Sequence, residues 1–267
     1  MLKKLKERFL RLEHFRKFIG QELAFNAVQS NFKLEINSTL PGGRILILSP
    51  HPDDDVLGCG GVMALHTQLG DEVKALYVSD GSMGYPDIKR PTTREKTELV
   101  REREFEVKES AKILAVDDLV FWRYRDGNLS ANSSAVKLMQ NLLNSYKPEI
   151  IYLPSFQDSN SDHFETCKIL VEALKNTSLD PEIISYEVWS PLFANRIISI
   201  DKVYDKKKKA IESHKTQLKS RGYLSAIIGL NQYRAGMYNA GNYAEAFFSC
   251  NKELYFKLFD LIEFKKR

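Results

Sequence analysis

Arg44-Ile45-Leu46-Ile47-Leu48-Ser49-Pro50-His51-Pro52-Asp53-Asp54-Asp55 is the stretch that decides how this chain is read. The aliphatic run Ile45 to Leu48 predicts a strand buried on both faces, and Val56 to Leu69, with Gly58, Gly60 and Gly61 near its start, predicts a helix. A histidine and three acids therefore sit in a strand-to-helix turn. In an open parallel sheet such turns gather at the carboxyl ends of the strands, where ligands bind. A capping aspartate or a plain His-Pro turn explains one of these residues, not three acids beside an imidazole. Imidazole with neighbouring carboxylates suits zinc or iron(II), with one acid left over to act on a bound water.

Three protein ligands plus water is the usual arrangement of a catalytic zinc, so a second ligand source is needed. Glu149 to Leu153 predicts another short strand, followed by Pro154-Ser155-Phe156-Gln157-Asp158-Ser159-Asn160-Ser161-Asp162-His163 and a helical pattern from Phe164 to Lys175. His163 opens that helix from the same kind of loop and is the favoured third ligand. Asp162 is placed to contact a neighbouring histidine or the metal's water. Further strand signals at Val73 to Ser79, Leu119 to Tyr124 and Ile183 to Val188 alternate with helical patterns, and Ile197 to Ile200 predicts an edge strand. The chain is expected to be α/β, a Rossmann-like three-layer sandwich with a mostly parallel sheet and a helical C-terminal extension. The strand order is not readable.

Together these residues resemble the PHPDD(E/D) signature and later motifs of the PIG-L / LmbE-like de-N-acetylases, the family of N-acetylglucosaminyl-phosphatidylinositol de-N-acetylase and the bacillithiol and mycothiol pathway deacetylases. The resemblance runs from about Arg44 to Phe248 and takes in Ser79-Asp80-Gly81, the helix of Arg101 and Glu104, and Arg125-Asp126-Gly127. It implies that His51, Asp54 and His163 hold Zn2+, with Fe2+ the alternative ion, and that Asp53 is the general base. Asp55 stands where relatives usually carry Glu and is expected to support the loop or the helix N-terminus. Asn160 marks a departure. Many relatives have a histidine there, thought to assist the oxyanion or the leaving amine. An amide can donate a hydrogen bond to an oxyanion but cannot protonate an amine, so Asp53 is expected to serve as base and then acid. His66 and His214 are the substitutes to consider.

Lys209 to Gln217 resembles the Ser/Thr-Gln helix of family members, and Tyr243-Ala244-Glu245-Ala246-Phe247 resembles an ending of sugar-processing relatives. Arg234, Tyr243, Glu245 and His214 are accordingly expected on the substrate side of the pocket, against the alternative that Glu245 is a solvated charge and the aromatics are packing. Arg125 and Asp126 follow a strand at the ligand-binding end of the sheet and join that set.

With 267 residues and 43% hydrophobic content, the chain can bury one large α/β core. Segment 1–40 reads as a basic amphipathic extension and 41–267 as the deacetylase domain. Met1 to Gly20 carries seven Lys and Arg against two Glu, which exceeds the +4 of the whole chain, and Leu2, Leu5, Phe9, Leu12 and Ile19 recur at helical spacing. Such a helix either docks on the body or a partner, or makes peripheral contact with an anionic membrane. No stretch approaches the roughly 20 apolar residues of a membrane span. The near-neutral body and acid-rich motifs argue against nucleic acid. Cys59, Cys167 and Cys250 form neither a disulfide framework nor a CxxC site, which points to a reducing cytoplasm. The expected reaction is removal of acetyl from an N-acetylated amino sugar that is nucleotide-, lipid- or glycan-linked, in surface glycan biosynthesis. A metal-dependent phosphoesterase and a non-catalytic sugar-binding relative are the alternatives.

Overall fold

The computed structural model describes residues 33–84, 91–219 and 222–266. The amphipathic helix expected over Met1 to Gly20 lies outside the described residues. Leu34–Ser249 forms one compact unit. Its strands are β1 (Glu35–Ile36), β2 (Arg44–Ser49), β3 (Glu72–Ser79), β4 (Asp118–Tyr124), β5 (Ile150–Pro154), β6 (Glu182–Tyr186), β7 (Arg196–Ser199) and β8 (Ala244–Cys250). Its helices are α1 (Asp54–Leu69), α2 (Thr93–Leu114), α3 (Ser133–Tyr146), α4 (Ser161–Leu174), α5 (Tyr204–Glu212), α6 (Lys215–Leu218) and α7 (Tyr223–Tyr238). Helix α8 (Lys252–Lys266), the C-terminal helical extension, belongs to a second unit.

The strands form one mixed sheet in the order β1-β7-β8-β6-β5-β2-β3-β4. β2 pairs in parallel with both β3 and β5, β3 continues to β4, and β5 to β6, while β8 runs antiparallel to β7. Ile45 to Leu48, Ile150 to Leu153 and Ile183 to Ile184 are buried, as the continuous apolar runs of an interior parallel sheet require. Helices α1 and α2 pack with α5, and α3 packs with α4, so the sheet is the middle of three layers. The chain leaves β2 toward β3 and β4 on one side and returns to β5 and β6 on the other. The carboxyl ends of β2 and β5 thus flank the point where strand order reverses, the crevice in which such sheets bind ligands.

β1 lies inside the segment expected as an extension. Glu35 and Ile36 pair with Arg196 and Ile197 of β7, and Arg196 binds the Glu35 carboxylate at 3.2 Å, so the sheet begins before residue 40. β8 was read in the sequence as a substrate-lining segment. Its alternation of Ala244, Glu245, Ala246 and Phe247 hid a strand whose residues are buried on both faces.

Candidate active site

The first motif is held by its own short-range bonds. Ser49 Oγ donates to the His51 carbonyl at 2.6 Å and accepts the Asp55 N–H at 3.1 Å, which closes the turn after β2. α1 starts at Asp54, so Asp54 and Asp55 occupy its first turn, where carboxylates meet the positive end of the helix. Asp55 turns away from the crevice and accepts the Tyr77 hydroxyl at 2.6 Å; burial pushes its carboxyl up to about 6. It supports the loop.

α1 is broken just below this turn. Cys59 is non-helical (φ −141°, ψ 18°), and the break is filled by a buried ion pair. Lys207 Nζ donates to the Leu57 carbonyl at 3.1 Å and to Glu245 at 2.6 Å, while Glu245 accepts the N–H groups of Gly61 and Val62 at 2.7 and 2.8 Å. The pair satisfies the end of one helical segment and the start of the next. Gly58 is required because a Cβ there would lie 2.2 Å from the Tyr186 ring, and Gly61 because one would lie 2.5 Å from Ile200.

His51, Asp54 and His163 converge, with ligand atoms all within 4.8 Å of one another and all three residues buried. Asp54 Oδ2 lies 2.9 Å from His51 Nδ1 and 3.0 Å from His163 Nε2. Neither ring nitrogen of His163 has an aligned hydrogen-bond partner. A buried imidazole aimed at a shared carboxylate oxygen without hydrogen-bond alignment fits a metal ligand better than a paired donor. Burial lowers the pKa of both imidazoles, but the surrounding carboxylates outweigh it: Asp54, Asp126 and Asp162 raise His51, and Asp54 and Asp158 carry His163 to about 9. Asp54 resists its own burial through the two histidines and is held well below the usual carboxylate range.

Carboxylates from successive loops orient these rings. His51 Nε2 lies 3.3 Å from Asp126 and 3.5 Å from Asp162, and His163 Nδ1 lies 3.5 Å from Asp158. Each of the three also ties its loop to another: Asp126 accepts the Met83 N–H at 2.9 Å, Asp162 that of Gly127 at 2.8 Å, and Asp158 that of Trp189 at 3.0 Å. His51, Asp126 and Asp162 are themselves close enough to bind an ion, but these carboxylates are already engaged by backbone N–H groups. This second set positions the first.

Asp53 stands beside the ligands, paired with Arg103 Nη2 at 3.0 Å. Burial raises the Asp53 carboxyl against the opposing pull of Arg103. Arg103 also donates to the Gly81 carbonyl at 2.9 Å, at a turn where φ is +64° and a Cβ would lie 2.6 Å from the guanidinium. The Ser79-Asp80-Gly81 motif therefore serves as a seat for this arginine. The sequence reading passed over Arg103. Its signal was placement: Leu99, Arg103, Glu106, Val107, Ser110, Ala111 and Leu114 form the buried stripe of α2, and a cation on such a stripe needs a partner.

The crevice is lined by His51, Asp53, Asp54, Leu57, Met83, Gly84, Arg103, Asp126, Asn160 and the group Val188, Trp189, Gln217 and Tyr223. Asn160 faces it but is also the N-cap of α4. Its Oδ1 accepts the Asp162 N–H at 2.8 Å, and Nδ2 is the donor it has left. Asp158, beside His163, and the lining residues Leu57, Met83, Gly84, Val188, Trp189 and Tyr223 are further parts that the sequence alone did not single out.

Five residues expected toward the substrate are not part of the described lining of the crevice. Glu245 fills the break in α1, and Tyr243 stacks on Tyr204 with ring centroids 3.6 Å apart. Arg234 clamps Glu187 at 2.6 Å and the Leu192 carbonyl at 2.8 Å. Arg125 is exposed, because β4 shifts register next to Arg123 (φ 57°) and the bulge brings Asp126 inward instead. His214 is buried beside the crevice, and burial with the nearby Arg103 charge holds its imidazole down to about 3, so it is no proton donor at neutral pH. His66 sits near the other end of the sheet between Asp71 at 2.7 Å and Tyr152 at 3.0 Å.

A family model described as PIG-L, GlcNAc-PI de-N-acetylase, matches residues 46–174, the span that contains both motifs. The chain is 28% identical to a diacetylchitobiose deacetylase of Thermococcus kodakarensis over 76% of this chain and 81% of that protein. The structure of an N,N′-diacetylchitobiose deacetylase from Pyrococcus horikoshii, bound to its inhibitor MPG, superposes with a TM-score of 0.72 at 24% identity, covering 88% of this chain and 94% of that one. GalB, a 4-carboxy-2-hydroxymuconate hydratase of Pseudomonas putida KT2440, superposes with a TM-score of 0.68 at 21% identity over 78% of this chain and 95% of that one. One fold thus carries two chemistries, and function has to be argued from the site.

Proposed function

Because this chain belongs to the PIG-L / LmbE-like de-N-acetylase family, we propose that its crevice is the active site of a zinc-dependent deacetylase acting on an N-acetylated amino sugar that is nucleotide-, lipid- or glycan-linked. At the coarser level it is a metal-dependent amidase of N-acetyl sugars. The observation that carries the finer reading is the convergence of His51, Asp54 and His163 beside an acid, Asp53, that is buried with them and left out of their set.

A divalent ion held by those three residues would polarise the acetamide carbonyl and acidify a water. Asp53 takes the proton of the attacking water and returns it to the departing amine, since neither His66 nor His214 is placed to do so. Arg103 orients Asp53 and favours its ionised form against the effect of burial. Asn160 Nδ2 donates to the oxygen on which charge develops. The imidazole-rich donor set favours zinc, with Fe2+ the alternative ion. The reaction leaves a free amine on a sugar, a handle for glycan and glycoconjugate assembly, which is the setting we assign. Three free cysteines fit a reducing compartment such as the cytoplasm, and no described helix is long and apolar enough to cross a membrane.

The test is acetate release from free, UDP-linked and chito-oligosaccharide N-acetylhexosamines, with metal content measured on the same preparations. His51→Ala and His163→Ala should lose metal and activity together. Full metal content in both variants would sink the ligand assignment. Phosphate-ester hydrolysis with two ions per chain would replace the deacetylase reading by a phosphoesterase.

A further inference from the structure

The rim of the crevice carries a feature that the hydrolytic groups do not use. Trp189 lines the cavity yet keeps 40% of its surface exposed, and its ring meets Tyr223 edge-on with centroids 5.8 Å apart and planes at 77°. Met83, 52% exposed, lines the same cavity. An indole with this much accessible surface at the rim of a crevice offers a ligand a large apolar area.

The loop that bears Trp189 is held at both ends. The Trp189 N–H is bonded to Asp158, the carboxylate beside His163. Farther along, Leu192 N–H binds Glu187 at 3.0 Å and its carbonyl receives Arg234 at 2.8 Å, with Glu187 and Arg234 paired. The Trp189 backbone is thereby tied to the ligand sphere through the Asp158 side chain. Rigid aromatic surface supplies large contact area at little entropic cost.

We propose that Trp189, braced by Tyr223, is a stacking shelf for the sugar ring next to the one being deacetylated, and that it selects substrates of at least two pyranose units. A pyranose presents its axial C–H groups as an apolar face and its hydroxyls around the edge, which matches an exposed indole face beside polar groups. The charge of the described lining favours a neutral glycan over a nucleotide diphosphate or phospholipid carrier. Asp53, Asp54 and Asp126 are present, each with a protein partner, and the one Lys or Arg, Arg103, is committed to Asp53 and Gly81. No other described Lys or Arg of the lining is left to pair with a phosphate. The orientation of the shelf rests on the deacetylase reading above.

Two measurements separate the two claims. In metal-free protein carrying Trp122→Phe, which leaves Trp189 as the sole tryptophan, N,N′-diacetylchitobiose should change the fluorescence saturably at concentrations at least tenfold below those needed for N-acetylglucosamine or UMP. In loaded enzyme, Trp189→Ala should raise KM for the disaccharide about tenfold with kcat nearly unchanged, should leave the monosaccharide unaffected, and should be largely rescued by Trp189→Phe. Equal losses on both sugars, or tighter fluorescence binding by UMP, would overturn the shelf. Saturable chitobiose binding without acetate release from any sugar would instead overturn the deacetylase reading and leave the shelf standing.

Discussion

Asp53 and Asp54 are adjacent in sequence and opposite in role, and the difference lies in what each touches. Asp54 is clasped by two imidazoles, whereas Asp53 is held by Arg103 alone. Asp53→Asn should keep the metal and cut turnover by about 10²–10⁴-fold, the range for loss of general acid–base catalysis. Loss of metal in that variant would mean that the two roles are exchanged. Asn160 has a double duty that one substitution can split. Aspartate caps a helix as well as asparagine but donates no hydrogen bond, so Asn160→Asp should hold stability while lowering kcat about 10²–10³-fold. Asn160→Ala should additionally lose about 1 kcal/mol of stability. Unchanged rates in Asn160→Asp would make this position purely structural. His214 gives a stability signature. Its folded pKa is about 3, below the ordinary value near 6.5, so between these values the unfolded chain binds a proton that the folded chain refuses. Stability contributed at neutral pH is lost as pH falls through that window, by about 2 kcal/mol between pH 6.5 and 5. Metal-free His214→Asn should lack this part of the slope in urea titrations at the two pH values, and identical slopes would refute the assignment.

At the scale of elements, the break in α1 matters most. A helix continuous through Cys59 would carry its first turn in a different direction, and with it Asp54. The Lys207–Glu245 pair makes the break tolerable by bonding Leu57, Gly61 and Val62, and both charges are almost fully buried. Removing either partner strands the other. Glu245→Gln and Lys207→Met should each cost about 3–5 kcal/mol, and the double variant should cost clearly less than their sum. Denaturant unfolding of the four proteins measures this, and additive costs would show that the two side chains act independently. α2 makes a similar contribution from farther away: one residue of its buried stripe, Arg103, reaches the base, and another, Glu106, accepts the Thr216 N–H at 2.8 Å and so fixes α6, which brings Gln217 to the crevice.

For the whole molecule, the ligands come from two loops on either side of the sheet's reversal point, so a bound ion ties the β2 and β5 halves together. An ion present at a hundredfold excess over its Kd stabilises the folded state by about 2.7 kcal/mol. In a chain of this size that is roughly 5–10 °C of Tm. Chelation should lower the transition accordingly and zinc should restore it; a Tm indifferent to chelation would place the ion elsewhere. The sequence by itself determined what is local. Ile45 to Leu48 and Glu149 to Leu153 announce buried strands, and the acids and histidines that follow them can only emerge at the carboxyl ends of a parallel sheet, because side-chain periodicity and strand direction are properties of short segments. Tertiary structure alone decided what depends on neighbours distant in the chain. The strand order brought the β2 and β5 loops together, the β4 bulge chose Asp126 over Arg125, and packing sent Glu245 into the break of α1, 184 residues from Gly61. Arg103 and Trp189 became parts of the site for the same reason: a side chain's chemistry is written in its type, but its partner is set by which surfaces the folded chain presses together.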